Sequence, residues 1–295
     1  MNCHAGIVIT TRNREQDLKK LFFHLKEKPA WAKYPVWIHD DASDGVSEEY
    51  WQLISKYAAC LIRNPRNYGA SLNRNISNAS VPFEFIFSLD DDSCFVDTDG
   101  SQQAIEYMQN NPKIAVLSFP LVTSFNPPPL HDTAPYPCLS YAACAALIRK
   151  SAFMEVGGYY SNFFYYGEEP ELCLRLWSAG YQIHAFPLCR VYHWASSNDE
   201  DYRRKGFYGP QNRVWSHFLH TPMPFLLFEI AKVFGSYMKL SIKTKIALVH
   251  LRGLVAGICK GLLTWNERKA LPILLYRYLL SLPISANSSN KAAHV

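Results

Sequence analysis

Short apolar runs alternate with stretches whose apolar residues fall three and four apart. Residues 5–10 are β-branched and apolar and predict a first strand, while residues 14–28, with Leu18, Leu21, Phe22 and Leu25 in register, predict a helix. The same reading gives a strand at 36–38, a helix at 47–56, a strand at 59–63 and a helix that opens after Gly69 and ends near Ala79. Residues 83–89 form a continuous apolar run of buried-strand type, followed by a helix at 102–109 and a strand at 114–118. Strand and helix in alternation imply βαβ units and a mostly parallel sheet, and right-handed crossovers bring the C-terminal ends of its strands to one rim.

The pattern then loosens. Residues 119–140 are proline-rich and aperiodic, which fits a functional lid or a connector. Residues 141–148 are small and apolar and read as a buried strand or helix, and 156–159 as a turn. Pro170 suits a first helical position, so a helix is expected from 170 to 180 with Glu169 at its N-terminal lip. Strands are expected near 181–186 and 191–194. Residues 199–205 read as a charged, mobile segment, either a solvated charge run or one whose Arg203, Arg204 and Lys205 close over a diphosphate. Two further apolar-rich segments, 225–240 and 246–263, carry interspersed lysines and arginines.

Two acidic clusters stand out against this pattern. The run at 83–89 stops at Asp90, Asp91 and Asp92, and the strand at 36–38 stops at Asp40 and Asp41. Like charges converging on one rim call for a counter-charge, and a divalent cation shared with a polyphosphate provides it. The second cluster is Glu168, Glu169 and Glu171, beside the aromatic block at 163–166. Apolar surroundings raise a carboxyl toward neutrality, the tuning a general base needs, and Glu169 is the expected carrier. Glu171 and Arg175 are spaced to pair on the helix. His193 suits a metal site that is short of protein ligands.

Composition sharpens the picture at the C-terminus. The chain of 295 residues has a net charge of +5 and a 48% hydrophobic share, which excludes a disordered chain. From Ser216 onward there are ten lysines and arginines against two glutamates, so the first 215 residues are net acidic. A basic, apolar-rich tail suits helices lying in a membrane interface, or a helical subdomain packed on the rest of the chain or on a second copy. Its aromatics sit among aliphatic residues, which argues against nucleic acid as a partner. The eight cysteines form no C-x-x-C pair and read as free thiols of a reducing compartment. No signal-peptide pattern or spanning stretch is present, so a cytoplasmic place at the inner face of the cell membrane is expected.

In order, the chain carries Thr10-Thr-Arg12-Asn13, Asp40-Asp41-Ala-Ser43-Asp-Gly45, Asn67-Tyr-Gly69-Ala-Ser-Leu-Asn73, Asp90-Asp91-Asp92, Gly157-Gly-Tyr159, Glu168-Glu169 with Leu172-Cys-Leu-Arg175, and His193. This order and spacing resembles the family two inverting glycosyltransferases of GT-A fold, of the bacterial polysaccharide and lipopolysaccharide type. The resemblance covers about residues 5–215. It implies a GT-A catalytic domain over 1–215, with a nucleotide-sugar half to about 118 and an acceptor half from 119, and a helical tail over 216–295. It implies that Thr10, Arg12, Asp40, Asp41, Asn67, Asn73, Asp90 and Asp91 bind the nucleotide-sugar. It also implies that Asp90, Asp92 and His193 hold Mn2+ or Mg2+, and that Glu169, or Glu168, is the catalytic base. A glutamate stands where that family usually has an aspartate, and Pro170 is unusual beside it. The implied acceptor is a glycan or lipid-linked glycan, and a homo-oligomer is open. The alternative is a catalytically inactive nucleotide-sugar- or glycan-binding protein of the same fold.

Overall fold

A computed structural model describes residues 4–97, 100–128, 134–194 and 199–287. Its first half is a βα succession: β1 (Ala5–Thr11), α1 (Glu15–Lys26), α2 (Pro29–Ala32), β2 (Val36–Asp40), α3 (Glu48–Tyr57), β3 (Cys60–Arg63), α4 (Ala70–Ser80) and β4 (Phe85–Asp90). Then come β5 (Ser93–Phe95), α5 (Gly100–Asn110), β6 (Ile114–Ser118), β7 (Leu121–Val122), β8 (Tyr136–Pro137), β9 (Ala146–Arg149), α6 (Lys150–Glu155) and α7 (Glu168–Ser178). The chain closes with β10 (Gln182–Ala185), β11 (Val191–His193) and the helices α8 (Asp199–His220), α9 (Met223–Thr244), α10 (Ala247–Leu263) and α11 (Ile273–Leu280). Local chemistry supports these boundaries. Ser47 caps α3 by accepting the Tyr50 N–H at 3.2 Å, with Glu48 and Glu49 in the first turn where the helix dipole favours acid.

The large sheet runs β3-β2-β1-β4-β9-β6-β10-β8. β1 to β4 pair in parallel, as do β6 and β10, while β9 lies antiparallel between β4 and β6. This is the mixed, mostly parallel sheet of a GT-A fold. Side chains alternate across it with the period of two expected of strands. Ile7, Ile9 and Phe87 enter one core with Leu18, Phe22, Trp31 and Phe95. Val8 and Ile86 enter the other with Phe153, Leu172 and Leu176. Leu271, Tyr276 and Leu279 join that second core, so α11 packs back onto the sheet. A second small sheet, β5-β11-β7, crosses the rim.

Several sequence expectations change. Residues 142–145 make a turn and only 146–149 a strand, because a short apolar run carries no period to choose between strand and helix. α7 begins at Glu168, two residues before Pro170; proline is tolerated there because N–H groups of the first turn lack intrahelical partners. Glu169 is therefore inside the first turn and not at the lip. The charged segment expected to be mobile, 199–205, forms the first turns of α8. The expected boundary at 215 falls inside that same helix. Residues 129–133 of the proline-rich loop lie outside the described residues.

Candidate active site

Register brings the rim together. In the parallel ladders Thr10 lies opposite Asp90, and Thr11 opposite Asp40. Asp90 ends β4, and Asp91 and Asp92 turn into β5. Ser93 pins that turn: its hydroxyl accepts the Asp90 N–H at 3.0 Å and lies 3.2 Å from the Cys144 carbonyl. β11 pairs antiparallel with β5, His193 opposite Ser93, which places the imidazole Nε2 3.0 Å from Asp92 Oδ1. The small sheet thus delivers a histidine to aspartates far away in the chain.

Each carboxylate of the triplet has its own partner. Asp90 accepts a 2.6 Å hydrogen bond from Arg74 on α4. Asp91, buried, accepts from the Thr11 hydroxyl at 2.7 Å. Burial first, and the Asp92 charge second, push the Asp91 carboxyl well up from its ordinary value. Asp92 lies 3.7 Å from the Arg14 guanidinium as well as beside His193. The hydrogen bond to Asp92 raises the His193 pKa against the opposing effect of burial. Arg14 also meets Asp17 at 3.3 Å and Asp201 at 3.4 Å.

The second acidic cluster faces the same space. Glu168 is fully buried and accepts a 2.6 Å bond from the other arm of Arg74, so one guanidinium ties the strand-end aspartate to the helix-start glutamate. Burial, then the neighbouring Glu169 charge, push the Glu168 carboxyl up to about 7, and its Oε2 has no hydrogen-bond partner among the described residues. The carboxyl raised by apolar burial is therefore Glu168, one residue before the one expected. Glu169 is half-buried and accepts the Ala143 N–H at 3.2 Å. Glu171 points elsewhere: it is buried against Arg175 (2.6 Å) and His220 (2.9 Å), which hold its carboxyl below the ordinary value although burial pushes the other way. Tyr166, just before this helix, adopts a left-handed φ of +65°. Asn212 on α8 holds that turn by donating to the carbonyls of Tyr165 (3.0 Å) and Tyr166 (2.7 Å).

These groups surround one cavity of about 860 Å³, within the range that holds a nucleotide-sized ligand. Thr10, Arg12, Asp41, Asn67, Asn73, Asp90, Asp91, Asp92, Glu168, Glu169 and His193 all line it. Asp40 does not. It is fully buried, accepting from the Ser43 N–H at 2.9 Å, the Ser43 hydroxyl and the Tyr50 hydroxyl at 3.0 Å. These contacts fix the β2 turn, and Asp40 is the one expected nucleotide-binding residue that does not line the cavity. Asp41 both lines the cavity and fastens the next loop, accepting from the N–H groups of Tyr68 and Gly69 and from Asn64 at 2.8–2.9 Å. Gly69 is required there: its φ is +81°, and a methyl group would come within 2.4 Å of the Phe164 carbonyl oxygen. Arg204 and Lys205 also line the cavity from α8; Arg203 is not among its lining residues.

Sequence reasoning missed three contributors: Arg14, Arg74 and Cys144. Arg74 directly follows Asn73, on a helix otherwise free of charge, and that isolation is its signal in the sequence. In the sequence Cys144 is one of eight cysteines that read as free thiols. Its Sγ, an Asp90 oxygen and a His193 nitrogen lie within 4.8 Å of one another. Carboxylate with imidazole fits Mn2+ or Mg2+, and the thiol adds a softer donor at the edge of the set.

A mixed α/β sheet with an aspartate-lined rim and a glutamate-bearing helix facing one cavity defines a GT-A sugar-nucleotide transferase architecture. The chain belongs to glycosyl transferase family 2, whose model matches residues 6–157, more than half of its length. A second model, described as the N-terminal domain of galactosyltransferase, matches residues 131–196. Over 61 residues the chain is 36% identical to the rhamnosyltransferase WbbL of Escherichia coli K12, covering 21% of this chain and 23% of that one. Over 118 residues it is 26% identical to an uncharacterized glycosyltransferase of Haemophilus influenzae, covering 39% and 38%. The matches thus span well under half of either relative. Among solved structures, the mannosyltransferase PcManGT of Pyrobaculum calidifontis, in complex with GDP-Man and Mn2+, superposes with a TM-score of 0.58 at 13% identity over 90% of this chain and 88% of that one. At that identity the likeness is one of fold.

Proposed function

We propose that this chain is a metal-dependent, inverting glycosyltransferase that moves a hexosyl group from a nucleotide-sugar to a hydroxyl of a glycan or lipid-linked glycan in surface polysaccharide synthesis. The observation that carries this reading is that the Asp90–Asp92 rim and Glu169 line one cavity, with Arg74 bonded to both acidic clusters. UDP-galactose, UDP-galactofuranose, UDP-glucose and dTDP-rhamnose are the donor types the family resemblance suggests. The solved neighbour that holds GDP-Man and Mn2+ supports a nucleotide-sugar donor and a divalent ion.

Thr10, Arg12, Asp41, Asn67 and Asn73 line the part of the cavity that would take base and ribose. Asp90, Asp92 and His193 would hold a divalent cation, Mn2+ or Mg2+, whose chemistry when bound is to offset the charge that builds on the departing diphosphate. Arg204 and Lys205 add fixed positive charge at the same mouth. Glu169 takes the proton of the acceptor hydroxyl, which attacks the anomeric carbon from the face opposite the diphosphate, and one displacement inverts the centre. Glu169 suits this role better than Glu168, whose carboxyl is buried and bound to Arg74.

The test is a screen of those four donors with Mn2+ or Mg2+ and lipid-linked acceptors. The expected result is nucleotide release coupled to product, abolished by chelator and by Asp92→Ala. Full turnover in chelator overturns the metal requirement. Donor binding without turnover under every condition supports the inactive binding protein instead.

A further inference from the structure

The helix α10 turns most of its large apolar residues outward. Gly253, Gly257 and Gly261 fall four apart and face α8. A methyl group on them would lie 2.3 Å from the Phe207 carbonyl oxygen, 2.5 Å from the Gln211 carbonyl oxygen and 2.3 Å from the Phe218 ring. The glycines therefore sit at the helix contact with Leu254 buried among them, and most of the other large apolar residues face the other side. Leu248, Leu251, Val255 and Leu262 are 44–61% exposed along the outward stripe. A surface helix in water shows the reverse order, apolar inward and polar outward. α9 ends next to this stripe and exposes Ile242 at 82%. A contiguous apolar surface of this kind marks a face that something covers.

Charge selects the cover. Lys239 and Lys243 on α9, Lys245 in the turn after it and Arg252 on α10 are exposed. The one acid of these two helices, Glu229, is buried and paired with Lys232 at 3.0 Å. A second copy docked through the same face would set these cations against one another, since a two-fold interface brings like patches together. A bilayer with anionic headgroups takes both the leucines and the lysines. No helix among the described residues is long and apolar enough to cross a membrane, so α10 would lie along the surface.

We propose that the outward side of α10, with the end of α9, docks on an anionic lipid bilayer. The proposal gives a place to the lipid-linked acceptor of the proposed reaction, but vesicle binding is read without turnover, so either reading can fail alone. The experiment floats the full chain with phosphatidylcholine vesicles containing about 30% phosphatidylglycerol, and with pure phosphatidylcholine vesicles. Binding is expected on the anionic vesicles, at least about tenfold weaker on the neutral ones, and reduced by high salt. Two variants, Leu248→Gln/Val255→Gln/Leu262→Gln and Lys239→Glu/Lys243→Glu/Arg252→Glu, should each lower it about tenfold or more. The single substitutions Leu248→Gln and Arg252→Glu give the same reading, in smaller steps, if a triple variant melts early. Absence of flotation, equal binding to both vesicles, or variants that bind like the parent overturns the proposal. So does a stable dimer that the glutamine variant dissociates while vesicles capture nothing.

Discussion

The two acidic clusters solve the same electrostatic problem in different ways. Asp90, Asp91 and Asp92 crowd a strand end, and each is met by a separate partner: Arg74, the Thr11 hydroxyl, and His193 with Arg14. Glu168, Glu169 and Glu171 open a helix, and helical spacing scatters them. Glu168 lines the cavity but is tied to Arg74, Glu169 lines it free of that arginine, and Glu171 turns away toward Arg175 and His220. On a strand end, charges stay together and share one site. On a helix, a single acidic sequence divides into chemistry and scaffolding.

Substitutions that change charge but not shape probe this division. Glu169→Gln should lower kcat by roughly 10²–10⁴-fold with little change in thermal stability, measured by product formation alongside melting. Glu171→Gln should do the opposite. It leaves Arg175 and His220 facing a neutral amide in a buried place and should cost about 3 kcal/mol in denaturant unfolding. Comparable loss of activity per folded molecule in both would erase the division. The smallest effect is a matter of pH. The folded-state Glu168 pKa is raised to about 7, so its favourable contribution is complete below its ordinary value of 4.5 and is lost as pH rises toward 7. Glu168→Gln should flatten the fall in stability over that window, read as unfolding midpoints at stepped pH. An unchanged slope would mean that Glu168 is ionised throughout.

Much of this architecture is written in local pattern. Buried strands that end on carboxylates identify the rim, because few other arrangements place an apolar run directly against three acids. Residues whose role depends on a distant partner are harder to read. Asp40 and Asp41 are adjacent and alike in sequence. Only the closeness of Ser43 and Tyr50 to one, and of the 67–69 loop to the other, separates a buried fastener from a cavity wall. Arg74 showed no pairing signal, since its partners lie 16 and 94 residues away. Strand β9 is ambiguous because an apolar run as short as Ala146-Leu147-Ile148 fits either conformation. His193 was legible through the family resemblance more than through its neighbours.

The pairing of β11 with β5 has a consequence for how the molecule comes into being. Asp92 and His193 are separated by 101 residues, and the ladder that joins them forms only once both strands exist. On the ribosome the aspartates emerge first and wait for their imidazole until a further 101 residues have been made. A fragment released before that point would keep the acidic turn and lack the histidine beside it.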